Sequence, residues 1–174
     1  MNFLKDIFLV FKKIYTFFAV IFWSALVKLT VKSSGTKIKS TGKTLLTRNT
    51  TLLNNVNFNG LIVSGRGAVT IGNNFHSGKG CKIITQVHNY EGTKLPYDEK
   101  IILKEVRIED NVWLGDDVTI LGGTTIHEGA IIQAGSVVTS DIPYCGIAGG
   151  HPAKVFKKRN IEHYENLKDG RHYF

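Results

Sequence analysis

Cysteine is scarce: the 174-residue chain has two, Cys81 and Cys145. They match no metal-ligand spacing and are too few for the disulfide framework of a small secreted domain, so a reducing cytosolic setting is expected. Acidic residues are few as well, 14 against 22 Lys and Arg, for a formal net charge of +8. The shortage is local. Residues 1–50 hold nine Lys or Arg against one acid, Asp6, whereas Glu109, Asp110, Asp116, Asp117, Glu128 and Asp141 crowd a later stretch. No basic stripe with interleaved aromatics runs along the chain, which argues against a nucleic-acid partner. No charge-free apolar run reaches the roughly 20 residues that a spanning helix needs. The nearest approach is Ile14–Val27, IYTFFAVIFWSALV. The length suits one folded domain with an appendage.

What the chain has in abundance is a period of six. Ile108, Leu114, Ile120, Ile126, Ile132 and Val138 stand six apart, and four places after the first five come Val112, Val118, Thr124, Ala130 and Ser136. A helix repeats its apolar face every 3.6 residues and a strand every 2, so a strict six fits neither alone. It fits a coil with flat faces, each six residues making one short strand and one turn, with the aliphatic and the small residue both pointing inward. Asp110-Asn111, Asp116-Asp117, Gly122-Gly123 and Glu128-Gly129 supply the turn chemistry between strands. A parallel β-helix, and so an all-β fold, is expected.

Three regions follow. Residues 1–32 are rich in Phe, Ile, Leu and Val and form a hydrophobic helical segment, expected to associate with a membrane. It lies in or partly enters the membrane, spans it as an anchor, or packs as an oligomer contact; the flanking lysines favour an anionic cytoplasmic leaflet. A cleaved signal peptide fits poorly, since no small residues of A-x-A type follow the apolar run. Residues 33–155 are the β-helix, where Ile38, Thr44, Thr50, Val56 and Ile62 keep the phase of six loosely and VSGRGAVT inserts a bulge before Ile71, Ser77 and Ile83 resume it. A loop at 89–105 breaks the period, and long excursions from a regular scaffold are where binding loops usually sit. Pro143 and Pro152 frame the exit, and residues 156–174 form a short polar helix or tail.

Through NNVNFNG, VTIGNNFHSGKG, IITQVHNYEG, IEDNVWLGDDVTILGGTTI, IIQAGSVVTSDIP and AGGHPAKV, residues 55–158 resemble the hexapeptide-repeat acyltransferases. The similarity is closest to the branch of galactoside, maltose, xenobiotic and capsular-sugar O-acetyltransferases. The resemblance implies a left-handed β-helix, a homotrimer with active sites between subunits, and acetyl-CoA as co-substrate with no metal. It implies that His88 is the catalytic base, an imidazole nitrogen that accepts a hydroxyl proton. Asn57 corresponds to an asparagine that holds the acceptor sugar, or else to one in a turn or stacked ladder. Trp113 corresponds to a tryptophan beside the cleft, a place that is also a subunit contact, and His76 is a further residue for the acceptor side. Coenzyme A would be held by Asp116, Ala134, Thr139, Ser140, Lys154 and Lys157.

The lysines carry the sharpest physical role in that set, since Lys154, Lys157, Lys158 and Arg159 form a basic knot suited to phosphates, or simply a solvated tail. Relatives often carry arginine at the first two of these places, and lysine loses the bidentate fork. A zinc site of the β-helical carbonic anhydrase kind is not expected, because His76, His127 and His151 offer no close pairing with His88. His151 departs from the asparagine of the family's GGNPAK. Tyr90, Glu91, Tyr97, Asp98 and Glu99 are candidates to orient His88 or bind sugar, with no spacing to rank them. Cys81 and Cys145 lack a matched base, so no acyl-enzyme is expected.

The expected activity is therefore acetyl transfer to a sugar hydroxyl in capsule, exopolysaccharide or lipopolysaccharide assembly, at the inner face of the cell membrane. N-acetylation of an amino sugar, xenobiotic acetylation, and a non-catalytic membrane-tethered scaffold remain as alternatives.

Overall fold

The structure, a computed structural model, describes residues 3–174, so the first two residues of the N-terminal segment fall outside it. Short strands wind into a three-faced prism. The first face stacks 33–34, 50–52, 69–71, 106–108 and 124–126, all parallel. The second stacks 39–40, 57–58, 76–77, 113–114, 131–132 and 146–150, and the third 61–64, 81–84, 119–121 and 137–138. Ile108, Leu114, Ile120, Ile126, Ile132 and Val138 are buried to 1% exposure or less, and the small residues Val112, Val118, Thr124, Ala130 and Ser136 are buried beside them. The period of six is thus the period of the interior. Turns at its corners put Asn111, Asp117, Gly123 and Gly129 at positive φ, the conformation that Asn, Asp and Gly tolerate best.

The early coils depart from the strict phase at Ile62. It is half-buried while Leu61 and Val63 point inward, because Gly60 turns the corner at φ 140° and saves one residue. The bulge at VSGRGAVT follows, with Gly65 at φ 97°. Farther on, side-chain volume is transposed: Phe75 fills the place of a small residue and packs on Phe58 at 5.8 Å, while Ser77 takes the place of an aliphatic one. Close packing requires the sum to be kept, and the exchange keeps it.

Helix α1 covers Phe3–Thr30, with no Gly or Pro to interrupt it. At a rise of 1.5 Å per residue it is about 42 Å long. Its last turns seat on the first coil, where Val27 is fully buried and Ser24 Oγ accepts from the Ser40 backbone N–H at 2.9 Å. Beyond that seat Phe8, Phe11, Tyr15, Phe17, Phe18 and Phe22 are exposed.

At the other end the chain reverses. Strand 153–158 runs antiparallel to 146–150 and closes the second face, so the boundary expected at 155/156 falls inside a strand. Helix α2, Ile161–Asp169, is capped by Asn160, whose side chain accepts from His163 N–H, and folds back along the corner between the first and second faces. Two ladders run up that corner. Asn54, Asn73 and Asp110 bond coil to coil, as do Asn55, Asn74 and Asn111, the second ladder ending on Tyr164 of α2 at 2.8 Å.

The expected loop at 89–105 is shorter than the break in period. Its return limb, Ile101–Leu103, is an aliphatic run that pairs antiparallel with 86–88, forming a hairpin with the loop at 89–100.

Candidate active site

On the second face Asn57, His76, Trp113, Ile131 and Ile147 occupy equivalent positions on successive coils. Because Phe58, Ser77 and Leu114 point inward, the strand alternation sends Asn57, His76 and Trp113 outward as one column. Asn57 is therefore not a turn or ladder asparagine; the ladders stand at the preceding corner. Trp113 is half exposed and presents a flat wall. His76 Nε2 lies 3.3 Å from Asn59 Nδ2. An amide N–H donates, so this contact assigns Nε2 as acceptor and leaves the proton on Nδ1. That Nδ1 is buried without a partner, and burial lowers the His76 pKa, which keeps the ring neutral.

Asp116 and Ala134 share one cavity of about 570 Å³ with His76 and Trp113. One Asp116 oxygen is already engaged, accepting from Lys79 N–H at 2.8 Å, and serves the turn. Ser140 is exposed just after 137–138. Thr139 lines a different cavity, about 390 Å³, between the third face and the hairpin base, together with Asn89, Tyr90, Glu91 and Lys104. Lys154 and Lys157 are exposed on the closing strand, opposite Gly149 and Ile147. Arg159 leaves the expected basic knot. Its Nε donates to Gly129 O at 2.7 Å, and its guanidinium lies 5.4 Å from the Tyr164 ring centroid.

His88 ends the first limb of the hairpin, opposite Ile101, and its ring is exposed. Of the loop residues that the sequence could not rank, Tyr97 meets it directly: the rings stack with centroids 3.9 Å apart at 18°. Asp98 instead ties the loop together, accepting from Asn89 Nδ2 and from Lys100 N–H, both at 2.9 Å, and Glu99 pairs with Lys94. The candidate residues thus fall in two groups, His88 on the hairpin and Thr139 beside its base next to the third face, and the Asn57–His76–Trp113 wall with Asp116 and Ala134 at the second.

A third cavity, about 420 Å³, opens beneath α2 against the same wall. It went unread in the sequence, since nothing in the period of six tells where residues past the last coil fold. Elsewhere, His127 Nδ1 lies 3.2 Å from Glu109 Oε2, an ion pair or hydrogen bond on the outer surface.

Residues 105–140 match the family model "Bacterial transferase hexapeptide (six repeats)". A Schizosaccharomyces pombe protein named as an acetyltransferase is 41% identical over 90 residues, 52% of this chain and 43% of that one. The chain therefore spans less than half the length of this curated relative. A hexapeptide-repeat acetyltransferase of Vibrio cholerae, solved with acetyl-CoA, superimposes with a TM-score of 0.63 at 25% identity, covering 77% of this chain and 74% of that one. A maltose O-acetyltransferase of Clostridium difficile gives 0.59 at 29% identity, with 74% and 68% covered.

Proposed function

We propose, for a chain that belongs to the hexapeptide-repeat acetyltransferase family, that it transfers an acetyl group from acetyl-CoA to a sugar hydroxyl. The observation that carries the reading is His88, an exposed imidazole held by the Tyr97 ring where the regular coils give way to a hairpin. Neighbouring folds that are a maltose O-acetyltransferase and an acetyl-CoA complex support the acceptor class and the donor.

In the proposed reaction His88 takes the hydroxyl proton as the oxygen attacks the thioester carbonyl; the C–O bond forms, the C–S bond breaks, and the proton passes to the departing thiolate. Asp116, Ala134, Thr139, Ser140, Lys154 and Lys157 would hold the coenzyme, the lysines facing its phosphates. The separation of His88 from the Asn57–His76–Trp113 wall within one chain favours a homotrimer in which neighbours complete each site. No step needs a metal or a cysteine: Cys81 is buried, and burial pushes its thiol up to about 11.

We further propose that residues 1–32 hold the enzyme on the inner face of the cell membrane, where saccharides on lipid carriers are assembled into capsule, exopolysaccharide or lipopolysaccharide. Ile7–Thr30 is long and apolar enough to cross a membrane, and the aromatic side chains beyond its seat on the first coil are exposed on this chain.

Coenzyme A release with free, nucleotide-linked and lipid-linked sugars, amino sugars included, tests the activity. His88→Ala should lower it about 10²- to 10⁴-fold with an unchanged circular dichroism spectrum. Wild-type turnover in that variant refutes the assignment, and absence of both release and acetyl-CoA binding leaves the scaffold reading. A chain found only in the soluble fraction would refute the membrane placement.

A further inference from the structure

The cavity beneath α2 has a chemistry of its own. Its floor is the second-face wall, with His76 and Trp113, and its roof is α2 and the segment after it, down to Phe174. The roof is fastened by named bonds: Tyr164 Oη donates to Glu128 Oε1 at 2.9 Å, Lys168 pairs with Glu128 at 2.8 Å, and Asn55 Nδ2 donates to Phe174 O at 2.9 Å. A volume of about 420 Å³ is within the usual range for a small-molecule site.

No Asp or Glu is among the residues that line it, whereas Arg159, Lys168 and His172 are. Lys168 is neutralised by Glu128 and Glu165. Arg159 is not; among the described residues no carboxylate lies within ion-pair distance of it, and only its Nε is engaged, on a backbone carbonyl. The outer edge of its guanidinium keeps its N–H donors for a ligand, and a guanidinium is the side chain best shaped for a planar carboxylate or a phosphate. The Trp113 ring lines the same cavity. An aromatic plane faces the C–H side of a pyranose.

We propose that this cavity binds an acidic saccharide, its anionic group on Arg159 and its ring against Trp113. The inference rests on the reading of a sugar acceptor and narrows its class: the acceptor bears a carboxylate or a phosphate. It is set apart from the coenzyme's phosphates, which are assigned to Lys154 and Lys157 on the closing strand.

The chain has two tryptophans, Trp23 and Trp113, so in a full-length Trp23→Phe background the fluorescence reports on Trp113 alone. Glucuronate, glucose 6-phosphate and glucose are titrated separately, the first two distinguishing carboxylate from phosphate. At least one anion should bind about tenfold or more tightly than glucose, and Arg159→Gln should remove that preference while Arg159→Lys keeps part of it. Because Arg159 also braces α2, His172→Glu at the exposed mouth gives an independent check, weakening the anion and leaving glucose unchanged. Equal affinity for glucose and both anions, or an undiminished preference in Arg159→Gln and His172→Glu, overturns the proposal. So does competitive displacement of the anion by coenzyme A, which would place the coenzyme here. Coenzyme A release with neutral sugars and no anion preference defeats this inference alone. Anion binding at Trp113 without release from any acceptor supports the cavity and defeats the transferase reading.

Discussion

Asn111 offers a test in which two similar substitutions should separate. It holds a corner at φ 59°; its Oδ1 accepts from Asn74 Nδ2 at 2.9 Å and its Nδ2 donates to Tyr164 Oη at 2.8 Å. Replacing it with glycine removes these two bonds and a longer one from Nδ2 to Glu128 Oε1 at 3.4 Å, and keeps the backbone at ease. At about 1 kcal/mol for each of the two short bonds, the loss is about 2 kcal/mol. Alanine removes the same bonds and must hold a left-handed conformation, at about 1–2 kcal/mol. Against that, alanine has less chain freedom to lose than glycine on folding, which returns about 0.4–1 kcal/mol. The expected order is wild type, then Asn111→Gly, then Asn111→Ala, with alanine lower than glycine by about 0.8 kcal/mol at the middle of those ranges. Urea denaturation followed by circular dichroism, at one fixed protein concentration because assembly shifts apparent stability, reads both differences. Alanine clearly above glycine would refute the left-handed corner, and either variant at wild-type stability would refute the ladder.

Ser77 Oγ is buried without a partner, so Ser77→Ala should stabilise by up to about 1 kcal/mol in the same denaturation; a loss of that size would mean the hydroxyl is bonded. Tyr97→Ala should lower kcat by up to about 100-fold through loss of the ring that positions His88, with the KM for acetyl-CoA unchanged, whereas Tyr97→Phe should retain activity. Equal losses in both would count against stacking. With a thiol pKa of about 11 and 1% exposure, Cys81 stays protonated well above neutral pH, and iodoacetamide at pH 8 should leave the folded chain unlabelled there. Labelling within minutes in the native state would contradict that burial, and denatured protein supplies the positive control.

The interior was legible because the period of six is imposed by geometry that every coil repeats, and Ile108 through Val138 could only be read one way. Ile62 misled because one glycine corner shortens a coil, and spacing alone does not reveal which of several glycines does so. Phe75 and Ser77 exchanged volumes, a trade visible only once neighbouring coils are stacked. His88 could be singled out only because IITQVHNYEG resembles the family's catalytic segment; a lone histidine at the break in repetition carries little by itself. Tyr97 could not, because the hairpin that folds it back across nine residues follows from the pairing of 86–88 with 101–103, a non-local contact without a local signature. Arg159 belonged by sequence to a run of cations, yet the start of α2 turns it away from them.

A stack of parallel strands has no built-in stopping point, since the last coil exposes the same unpaired backbone edge as the coil before it. Here the two ends are unlike. One is taken by the seat of α1, and at the other the antiparallel strand 153–158 completes the second face with a strand of the wrong direction for another coil to copy. Two molecules laid end to end therefore find no continuing register on that face, which suppresses growth into fibres. The reversal at the exit makes a fold with the geometry of a filament into a particle of finite length.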